Sequence, residues 1–185
     1  MTSVLVVCTG NVCRSPSAEG LLRRAFDDRL GAGGVAVTSA GTAGWEGSPP
    51  TEGSSDATAE RGVDITSHRA RVLTADQIDA ADVVLAMARE HGEAVLDLVP
   101  DAGPRTFTMG AFATYVDGAA APDLPSLVAT AARARDAAPR DPWIDDVADP
   151  LGMPLETYRA MAAELDGLAG RIAGALATAG AGVTP

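Results

Sequence analysis

Cys8 and Arg14 stand six positions apart near the start of the 185-residue chain, in a pattern that suits attack on a phosphate group. Cys8 ends a short apolar run, and Arg14 follows a polar loop that contains Gly10. A thiolate beneath a bound phosphate is an in-line nucleophile, and the planar guanidinium of an arginine can bind two phosphate oxygens at once. The spacing therefore predicts phosphoryl transfer through a phosphocysteine intermediate.

The loop between Cys8 and Arg14 is predicted to bind an anion through its backbone. Successive N–H groups of a tight loop can turn inward to form a nest, and the N-terminus of a following helix adds donors and positive potential. The same field favours the thiolate form of the cysteine. The alternative for Cys8 is ordinary packing, because a cysteine at the end of a buried strand often acts only as a small apolar residue.

Cleavage of a phosphate ester also needs a proton donor for the leaving oxygen, and a carboxylic acid can fill that role. Asp145, Asp146 and Asp149 all precede the last predicted helix, in a loop with turn signals at Asp149-Pro150 and Gly152. Spacing alone leaves the choice among the three aspartates open. The alternative is a solvated acidic loop with no chemical role.

An alternation of strands and helices is predicted to position these residues. Apolar, β-branched runs predict strands at 3–8, 35–40, 82–87 and 106–108. Helical spacing and turn signals predict helices from Ser15 and Pro16 to the glycines at 31–34, and at about 56–61, 73–80, 89–98, 110–116, 124–138 and 155–176. Ser15 is the predicted N-cap of the first helix, with Pro16 in its first position. Such an alternation indicates a parallel sheet covered on both faces, with ligands bound beyond the carboxyl ends of the strands.

The composition is typical of one globular cytoplasmic domain. With 46% hydrophobic and 21% charged residues, the chain is apolar enough to fold and long enough to bury a core. We expect a single domain over residues 1–185, with an extra segment at about 117–142. No apolar run approaches the ~20 residues of a membrane span, and the N-terminus lacks the basic and apolar parts of a secretory signal.

The charge balance excludes several partners and several kinds of chemistry. The chain has 14 Lys+Arg and 25 Asp+Glu, a net charge of −11, so we expect no binding to nucleic acid or to anionic membranes. Every basic residue is an arginine, which excludes a lysine Schiff base and a phosphate-binding lysine. The two histidines are far apart in the sequence, so no metal site is expected. Two cysteines cannot build a disulfide scaffold.

These motifs resemble those of the low-molecular-weight protein-tyrosine phosphatases. The resemblance is carried by Val7-Cys8-Thr9-Gly10-Asn11-Val12-Cys13-Arg14-Ser15-Pro16 and the distant Asp149-Pro150, with further matches at 38–42, Trp45 and 67–71. It covers about residues 3–98 and 145–176. The resemblance implies an α/β, three-layer flavodoxin-like fold, with a four-stranded parallel sheet and helices on both faces.

The resemblance also implies a role for each reactive residue. Cys8 is the implied nucleophile, Arg14 the clamp for the phosphate and the transition state, and Asp149 the general acid and then the base. The implied reaction is metal-independent hydrolysis of a phosphomonoester without a cofactor, and its implied substrate is a phosphotyrosine protein or an aryl phosphate. The implied substrate-binding residues are Thr9, Gly10, Asn11, Val12, Cys13, Ser15 and Trp45.

Supporting roles follow from the same resemblance. Asn11, Ser39 and His68 match a buried hydrogen-bond network that holds the phosphate loop open, and an asparagine tolerates a positive φ better than most residues. Ser15 matches a hydroxyl that donates a hydrogen bond to the thiolate. Cys13 matches a second loop cysteine that can pair reversibly with the nucleophile on oxidation, although simple packing is an alternative.

The chain departs from the family around the substrate slot. Family members carry aromatic residues directly after the Asp-Pro pair as one wall of the slot, and here Leu151 and Gly152 take those positions. Trp45 is either the opposite wall or an ordinary loop anchor. Trp143 either folds over the slot or packs beneath the loop. The extra segment is a lid, a partner site or a tolerated insertion, and the sequence does not decide among them.

Several functions remain open on this scaffold. Family members that act on phosphoarginine have a threonine at the position of Val12, which cannot form a hydrogen bond, so phosphotyrosine is favoured over phosphoarginine. A small-molecule phosphatase is a further alternative. An arsenate reductase of the thioredoxin-coupled type needs resolving cysteines that the chain lacks. A phosphocysteine carrier or a non-catalytic anion-binding module needs neither Arg14 nor Asp149, so their presence favours an enzyme.

Overall fold

A four-stranded, all-parallel sheet forms the centre of the computed structural model, which describes residues 2–138 and 145–177. The strands are β1 (Thr2–Cys8), β2 (Val35–Gly41), β3 (Val83–Ala86) and β4 (Thr106–Thr108), in the spatial order β2-β1-β3-β4. β1 therefore lies between β2 and β3 inside the sheet. Its last residue, Cys8, lies at the carboxyl edge, where parallel α/β sheets bind their ligands.

Helices follow each strand and return the chain to the amino edge of the sheet. The helices of the described ranges are α1 (Arg14–Leu30), α2 (Glu52–Ala59), α3 (Ala75–Asp79), α4 (Arg89–Leu98), a 3₁₀ helix (Pro100–Arg105), α5 (Met109–Tyr115), α6 (Leu124–Ala137) and α7 (Leu155–Gly174). None of these helices is both long enough and apolar enough to cross a membrane.

Both faces of the sheet are covered, because alternate side chains of β1 point to opposite sides. Val4, Val6 and Cys8 join the larger apolar cluster, to which α1, α5, α6 and α7 contribute. Leu5 and Val7 join a second cluster, formed with residues of α3 and α4. The predicted three-layer α/β fold with four parallel strands is confirmed.

The helix bounds differ from the predicted ones mainly where a side chain caps the helix. α2 begins at Glu52 instead of 56, because Thr51 accepts a hydrogen bond from the N–H of Ser54. α3 begins at Ala75 instead of 73, because Thr74 and Gln77 form a capping box before it. The 3₁₀ helix was not predicted, and α7 ends at Gly174 instead of 176.

The prediction that Ser15 caps the first helix is wrong. α1 already begins at Arg14, Cys13 is its N-cap, and no side chain there caps the helix with a hydrogen bond. The Ser15 hydroxyl points instead towards Cys8 and Asn11, with which it forms hydrogen bonds. A tertiary contact at the loop therefore replaces the local cap that the sequence favours.

The described part of the extra segment is built into the core. α6 buries Leu124, Leu127, Val128 and Ala131 in the larger apolar cluster. Its Arg135 donates hydrogen bonds to the carbonyls of Gly103 and Thr106 at 3.1 and 3.3 Å, and its guanidinium lies 4.6 Å from the centre of the Phe107 ring. Arg135 therefore links α6 to β4, the edge strand of the sheet. Trp143 lies outside the described residues.

Candidate active site

The predicted reactive residues converge at the carboxyl end of β1. A cavity of about 80 Å³ opens there. The residues that line it are Cys8, Thr9, Gly10, Val12, Cys13, Arg14, Trp45, Asp149 and Leu151. The two sequence-distant parts of the motif, the loop after β1 and the Asp149-Pro150 turn before α7, therefore share one small space.

The Cys8 thiol is buried against the first turn of α1. Its Sγ lies 2.9 Å from the Oγ of Ser15. Ser15 Oγ in turn accepts a hydrogen bond of 2.8 Å from the amide of Asn11. Because that lone pair is occupied, the hydroxyl proton of Ser15 is free to be donated to the sulfur, and such a hydrogen bond stabilises negative charge on it.

Asn11 fixes the shape of the loop. It is fully buried and is the one described non-glycine residue with a positive φ, at 57°. Its Nδ2 donates to the Oγ atoms of Ser15 and Ser39, both at 2.8 Å, and its Oδ1 accepts from the backbone N–H of Arg71 at 2.8 Å. The Nε2 of His68 lies 3.1 Å from the Asn11 carbonyl. The structure thus brings together the three residues predicted to support the loop.

Glu19 belongs to this network, although the sequence analysis did not select it. Its Oε2 accepts a hydrogen bond of 2.6 Å from Ser39 Oγ and lies 3.6 Å from His68 Nδ1. Burial lowers the pKa of His68 below its ordinary value, and the nearby Glu19 carboxylate opposes that shift. The available signal was the four-residue spacing from Ser15 to Glu19, which places both on one side of a helix.

Arg14 is buried and paired with one of the three candidate aspartates. Its Nη2 lies 2.6 Å from Asp149 Oδ2, and its side chain is 6% exposed. Its other partners are the Val147 carbonyl and Thr9 Oγ1, both at 3.3 Å. A buried guanidinium needs such partners, because an unpaired charge in the interior is costly.

The other two aspartates are used elsewhere. Asp146 accepts a hydrogen bond of 2.8 Å from the backbone N–H of Arg89, at the start of α4. Asp145 packs against Gly110 so closely that a Cβ at that glycine would lie 2.3 Å from the Asp145 Cβ. Only Asp149 of the three lines the cavity beside Cys8. The tertiary structure therefore places Asp149 next to Cys8, whereas spacing in the sequence did not distinguish it from Asp145 and Asp146.

The second loop cysteine forms its hydrogen bond with a residue outside the loop. Cys13 Sγ lies 3.3 Å from Thr51 Oγ1, and both cysteines are free thiols. Burial raises the pKa of the Cys13 thiol, an effect that hydrogen bonds from Thr51 and Ser54 partly offset. Cys13 therefore carries its proton more readily than an exposed thiol does.

The slot above the loop has two unlike walls. The Trp45 ring packs over Gly10, where an added Cβ would lie 3.4 Å from the ring. Leu151 lines the cavity as an aliphatic wall, and each of these two side chains is nearly half exposed. Gly152 adopts a φ of 77° and does not line the cavity. The slot thus has an aromatic wall and an aliphatic wall.

A buried histidine behind the loop, His91, was also missed by the sequence analysis, which considered it only as a possible metal ligand. His91 stands in the first turn of α4, and its Nε2 lies 2.9 Å from Thr9 Oγ1. Burial and the neighbouring Arg14 lower its pKa to about 4, although Asp149 opposes the shift. The available signal was its position just after β3, at the sheet edge where ligands bind.

Replacing His91 by glutamine should flatten the pH dependence of stability. The pKa of His91 is about 4 in the folded chain and near 6.5 when unfolded, so the unfolded chain takes up the proton first. The wild-type protein should therefore lose about 2 kcal/mol of unfolding free energy at this residue as the pH falls from about 7.5 to about 5. Urea unfolding at both pH values measures the difference. His68 is present in both proteins, so equal pH slopes would contradict the prediction.

The sequence is similar to those of known phosphatases. A family model described as low molecular weight phosphotyrosine protein phosphatase matches residues 3–125. A protein-arginine-phosphatase of Geobacillus stearothermophilus is 34% identical over 175 residues, which cover 95% of this chain and 96% of that protein. The low molecular weight protein-tyrosine-phosphatase Etp of Escherichia coli (strain K12) is 40% identical over 108 residues, which cover 58% of this chain and 69% of Etp.

The fold is also similar to those of solved phosphatase structures. The YwlE arginine phosphatase from Geobacillus stearothermophilus aligns with a TM-score of 0.72 at 33% identity, over 94% of this chain and 92% of that one. A low molecular weight protein tyrosine phosphatase from T. tengcongensis aligns with a TM-score of 0.70 at 32% identity, over 93% of this chain and 97% of that one. By sequence and by fold, this chain belongs to the low-molecular-weight protein-tyrosine phosphatases, a family of cysteine-dependent phosphatases.

Proposed function

We propose that this phosphatase hydrolyses phosphotyrosine in proteins, or an equivalent aryl phosphate, through a phosphocysteine formed on Cys8. The observation that carries the proposal is the convergence of Cys8, Arg14 and Asp149 on one small cavity. A nucleophile, a cationic clamp and a carboxyl group with shared access to the same space are the parts that phosphoryl transfer needs. None of these parts calls for a metal ion.

In the first step, the substrate phosphate replaces Asp149 as the partner of Arg14. The guanidinium and the loop N–H groups bind the phosphate oxygens and stabilise the transition state. The Cys8 thiolate attacks phosphorus, the S–P bond forms, and the P–O bond to the leaving group breaks. The proton of the Asp149 carboxyl group passes to the leaving oxygen, which departs as an alcohol or phenol.

In the second step, water hydrolyses the phosphocysteine. The Asp149 carboxylate accepts a proton from the water, whose oxygen attacks phosphorus as the S–P bond breaks. Inorganic phosphate forms, and Cys8 leaves as a thiolate. The Ser15 hydroxyl, 2.9 Å from the sulfur, supports that departure because it can donate a hydrogen bond to the developing negative charge.

A reducing compartment suits this chemistry, and we infer that the chain acts in the cytoplasm. The mechanism needs Cys8 as a free thiol, and Cys13 stands only five positions further along the chain. Both cysteines are free. Cytosolic reductants keep such neighbouring thiols from pairing, whereas oxidising compartments favour disulfides.

Replacing Cys8 or Arg14 tests the mechanism directly. Cys8→Ser should abolish turnover but retain vanadate or phosphate binding, because Arg14 and the loop N–H groups remain. Arg14→Lys should lower kcat/KM at least about 100-fold, because an ammonium cannot supply two parallel hydrogen bonds. The assay is hydrolysis of an aryl phosphate with EDTA present. Turnover by Cys8→Ser, or wild-type activity that EDTA removes, would overturn the proposal.

Replacing Asp149 should have an effect that depends on the leaving group. Asp149→Asn should lower kcat strongly for phosphotyrosine, whose phenol leaves poorly without a proton, and weakly for a nitrophenyl phosphate, whose phenolate leaves unaided. Asp146→Asn is the matched control, because Asp146 accepts a hydrogen bond at α4 and does not line the cavity. If Asp146→Asn shows the leaving-group effect and Asp149→Asn does not, the assignment of the acid is wrong.

The shape of the slot supports an aryl substrate. An aromatic ring that projects from a phosphate in the loop would lie between Trp45 and Leu151, which line the same cavity. Offset stacking on an indole contributes about 0.5–1.5 kcal/mol beyond the apolar area that it buries. The aliphatic wall adds burial without stacking. The slot therefore favours a flat, apolar group next to the phosphate over a hydrated sugar.

Phosphoarginine is the second candidate substrate, and one observation favours it. The relative named as a protein-arginine-phosphatase matches 95% of this chain, whereas the tyrosine phosphatase Etp matches 58%. Val12 opposes this candidate, because it lines the cavity and carries no group that can form a hydrogen bond to a guanidinium. The chemistry at Cys8 is the same for both substrates.

A substrate panel with a Val12 variant should separate the two candidates. We expect the wild-type kcat/KM to be higher for a phosphotyrosine peptide than for a phosphoarginine peptide of matched sequence or for a sugar phosphate. Val12→Thr, which adds a hydroxyl at nearly constant volume, should shift the ratio towards phosphoarginine, because a site with a matching polar group discriminates strongly. Val12→Ala is the control without the hydroxyl. A wild-type preference for phosphoarginine would replace phosphotyrosine as the substrate.

Variants of the two walls should change aryl binding alone. Trp45→Ala should raise KM for an aryl phosphate about 2-fold to 10-fold, as the loss of one stacking contact predicts. Leu151→Tyr should lower KM, because it adds a second aromatic wall. Inorganic phosphate touches only the loop, so its inhibition constant should not change. Met153→Ala, at an exposed residue of the same turn region that does not line the cavity, is the control. If Trp45→Ala changes neither constant, Trp45 only anchors its loop.

A further inference from the structure

A buried imidazole contacts the phosphate loop from behind, and none of the proposed chemical steps uses it. His91 is 1% exposed, and its Nε2 lies 2.9 Å from Thr9 Oγ1. Thr9 Oγ1 accepts a hydrogen bond of 3.3 Å from Nη2 of Arg14. The same Nη2 donates a hydrogen bond to Asp149 Oδ2. A continuous chain of contacts therefore links His91 to the guanidinium.

The burial of His91 leaves one of its nitrogens without a partner. Among the residues that the structure describes, no hydrogen-bond partner reaches Nδ1. Burying an unsatisfied polar atom costs free energy, and an apolar side chain of similar size would avoid that cost. Packing alone therefore does not account for a histidine here, whereas its contact with Thr9 does.

The charged groups around the ring indicate how its proton is placed. Glu90 Oε1 lies 3.4 Å from Nε2, and Arg14 and Asp149 lie beyond Thr9. A carboxylate near Nε2 favours the tautomer with its proton on that nitrogen. An arginine can only donate hydrogen bonds, so Thr9 Oγ1 accepts from Nη2–H of Arg14. With the His91 proton on Nε2, the same oxygen also accepts from the imidazole.

This chain of contacts matters most when phosphate is bound. In the ligand-free site, Arg14 has three described partners, namely Asp149, the Val147 carbonyl and Thr9 Oγ1. When the substrate phosphate replaces Asp149, the Val147 carbonyl and Thr9 Oγ1 remain as the described protein groups that orient the guanidinium. The orientation matters because bidentate binding depends on the plane of the fork.

We propose that His91 is a positioning residue for phosphoryl transfer, because it fixes the Thr9 hydroxyl that orients Arg14 on the phosphate. The inference rests on the proposed role of Arg14 as the phosphate clamp. His91 itself touches neither the substrate nor the reacting atoms. Its contribution is to restrict the guanidinium to the geometry in which both of its donors reach the phosphate.

Three replacements of His91 test this role. His91→Phe keeps the ring volume and removes the hydrogen bond, so it should lower kcat/KM roughly 10-fold to 100-fold and weaken inhibition by inorganic phosphate. His91→Gln should keep most of the wild-type kcat/KM and most of the inhibition by inorganic phosphate, because its amide nitrogen can reach the position of Nε2. The asparagine of His91→Asn is shorter and cannot reach that position, so this variant should lose both as His91→Phe does. Val95→Ala, at a fully buried residue of the same helix, should lower Tm and leave both constants unchanged.

A double-mutant cycle separates positioning from packing. If His91 acts through Thr9, then His91→Phe should have little further effect on kcat/KM in a Thr9→Val background. Additive effects of the two substitutions would overturn the inference, and so would wild-type kinetics for His91→Phe. If His91→Phe fails to fold, the difference between the glutamine and asparagine variants decides instead, and equal kinetics for those two would also overturn it.

The outcome for Arg14→Lys distinguishes this inference from the proposed function. If Arg14→Lys is severely impaired and His91→Phe has normal kinetics, Arg14 remains the clamp and only the positioning role of His91 fails. If Arg14→Lys keeps near-normal activity, the proposed clamp itself fails. Each result thus contradicts one proposal and not the other.

Discussion

The conformation of Asn11 is the constraint on which the site depends. A left-handed backbone costs a residue with a side chain about 1–2 kcal/mol, and Asn11 adopts it, at a φ of 57°, in a fully buried position. Its amide offsets that cost through hydrogen bonds with Ser15, Ser39 and the backbone N–H of Arg71. The resulting reversal of the chain turns the loop between β1 and α1 around one point. Cys8 and Arg14 stand at the two ends of that loop.

The end of β2 packs closely against the loop after β1 and further restricts its conformation. A Cβ at Gly41 would lie 2.6 Å from the carbonyl oxygen of Thr9, so no larger residue fits at the end of β2. The N–H of Thr42 donates to the Cys8 carbonyl, and the N–H of Ala43 donates to the Thr9 carbonyl. These contacts satisfy the loop carbonyls from outside. In the proposed mechanism, the N–H groups of the same loop bind the phosphate.

The proposed phosphate site lies in an acidic protein, so binding there must depend on local donors. The net charge of −11 repels phosphate at long range. In the proposed mechanism, the N-terminus of α1 and the buried guanidinium of Arg14 attract the phosphate more strongly at contact distance than the net charge repels it. Pairing with Asp149 keeps the guanidinium satisfied without a ligand. In the proposed mechanism, the substrate phosphate takes the place of Asp149 as the anionic partner of that guanidinium.

The extra segment contributes to the core and not to the described site. The family model matches residues up to 125, and α6 begins at Leu124. α6 nevertheless buries Leu127 and Ala131 completely in the larger cluster. β4 is the edge strand of the sheet, and Arg135 donates a hydrogen bond to the carbonyl of Thr106 in that strand.

The sequence by itself determined the layers of the fold, the four parallel strands and the reactive loop, because apolar periodicity and the spacing from Cys8 to Arg14 act over a few residues. Spacing alone could not choose among Asp145, Asp146 and Asp149, for which only the family resemblance implied Asp149, and the local pattern assigned Ser15 to a helix cap. Those questions were decided by folding, which brings the carboxyl ends of separate strands to one edge. At that edge, contacts between residues that are distant in sequence determine which partner each side chain binds. Asp149 meets Arg14 across the site, and His91 meets Thr9 from α4.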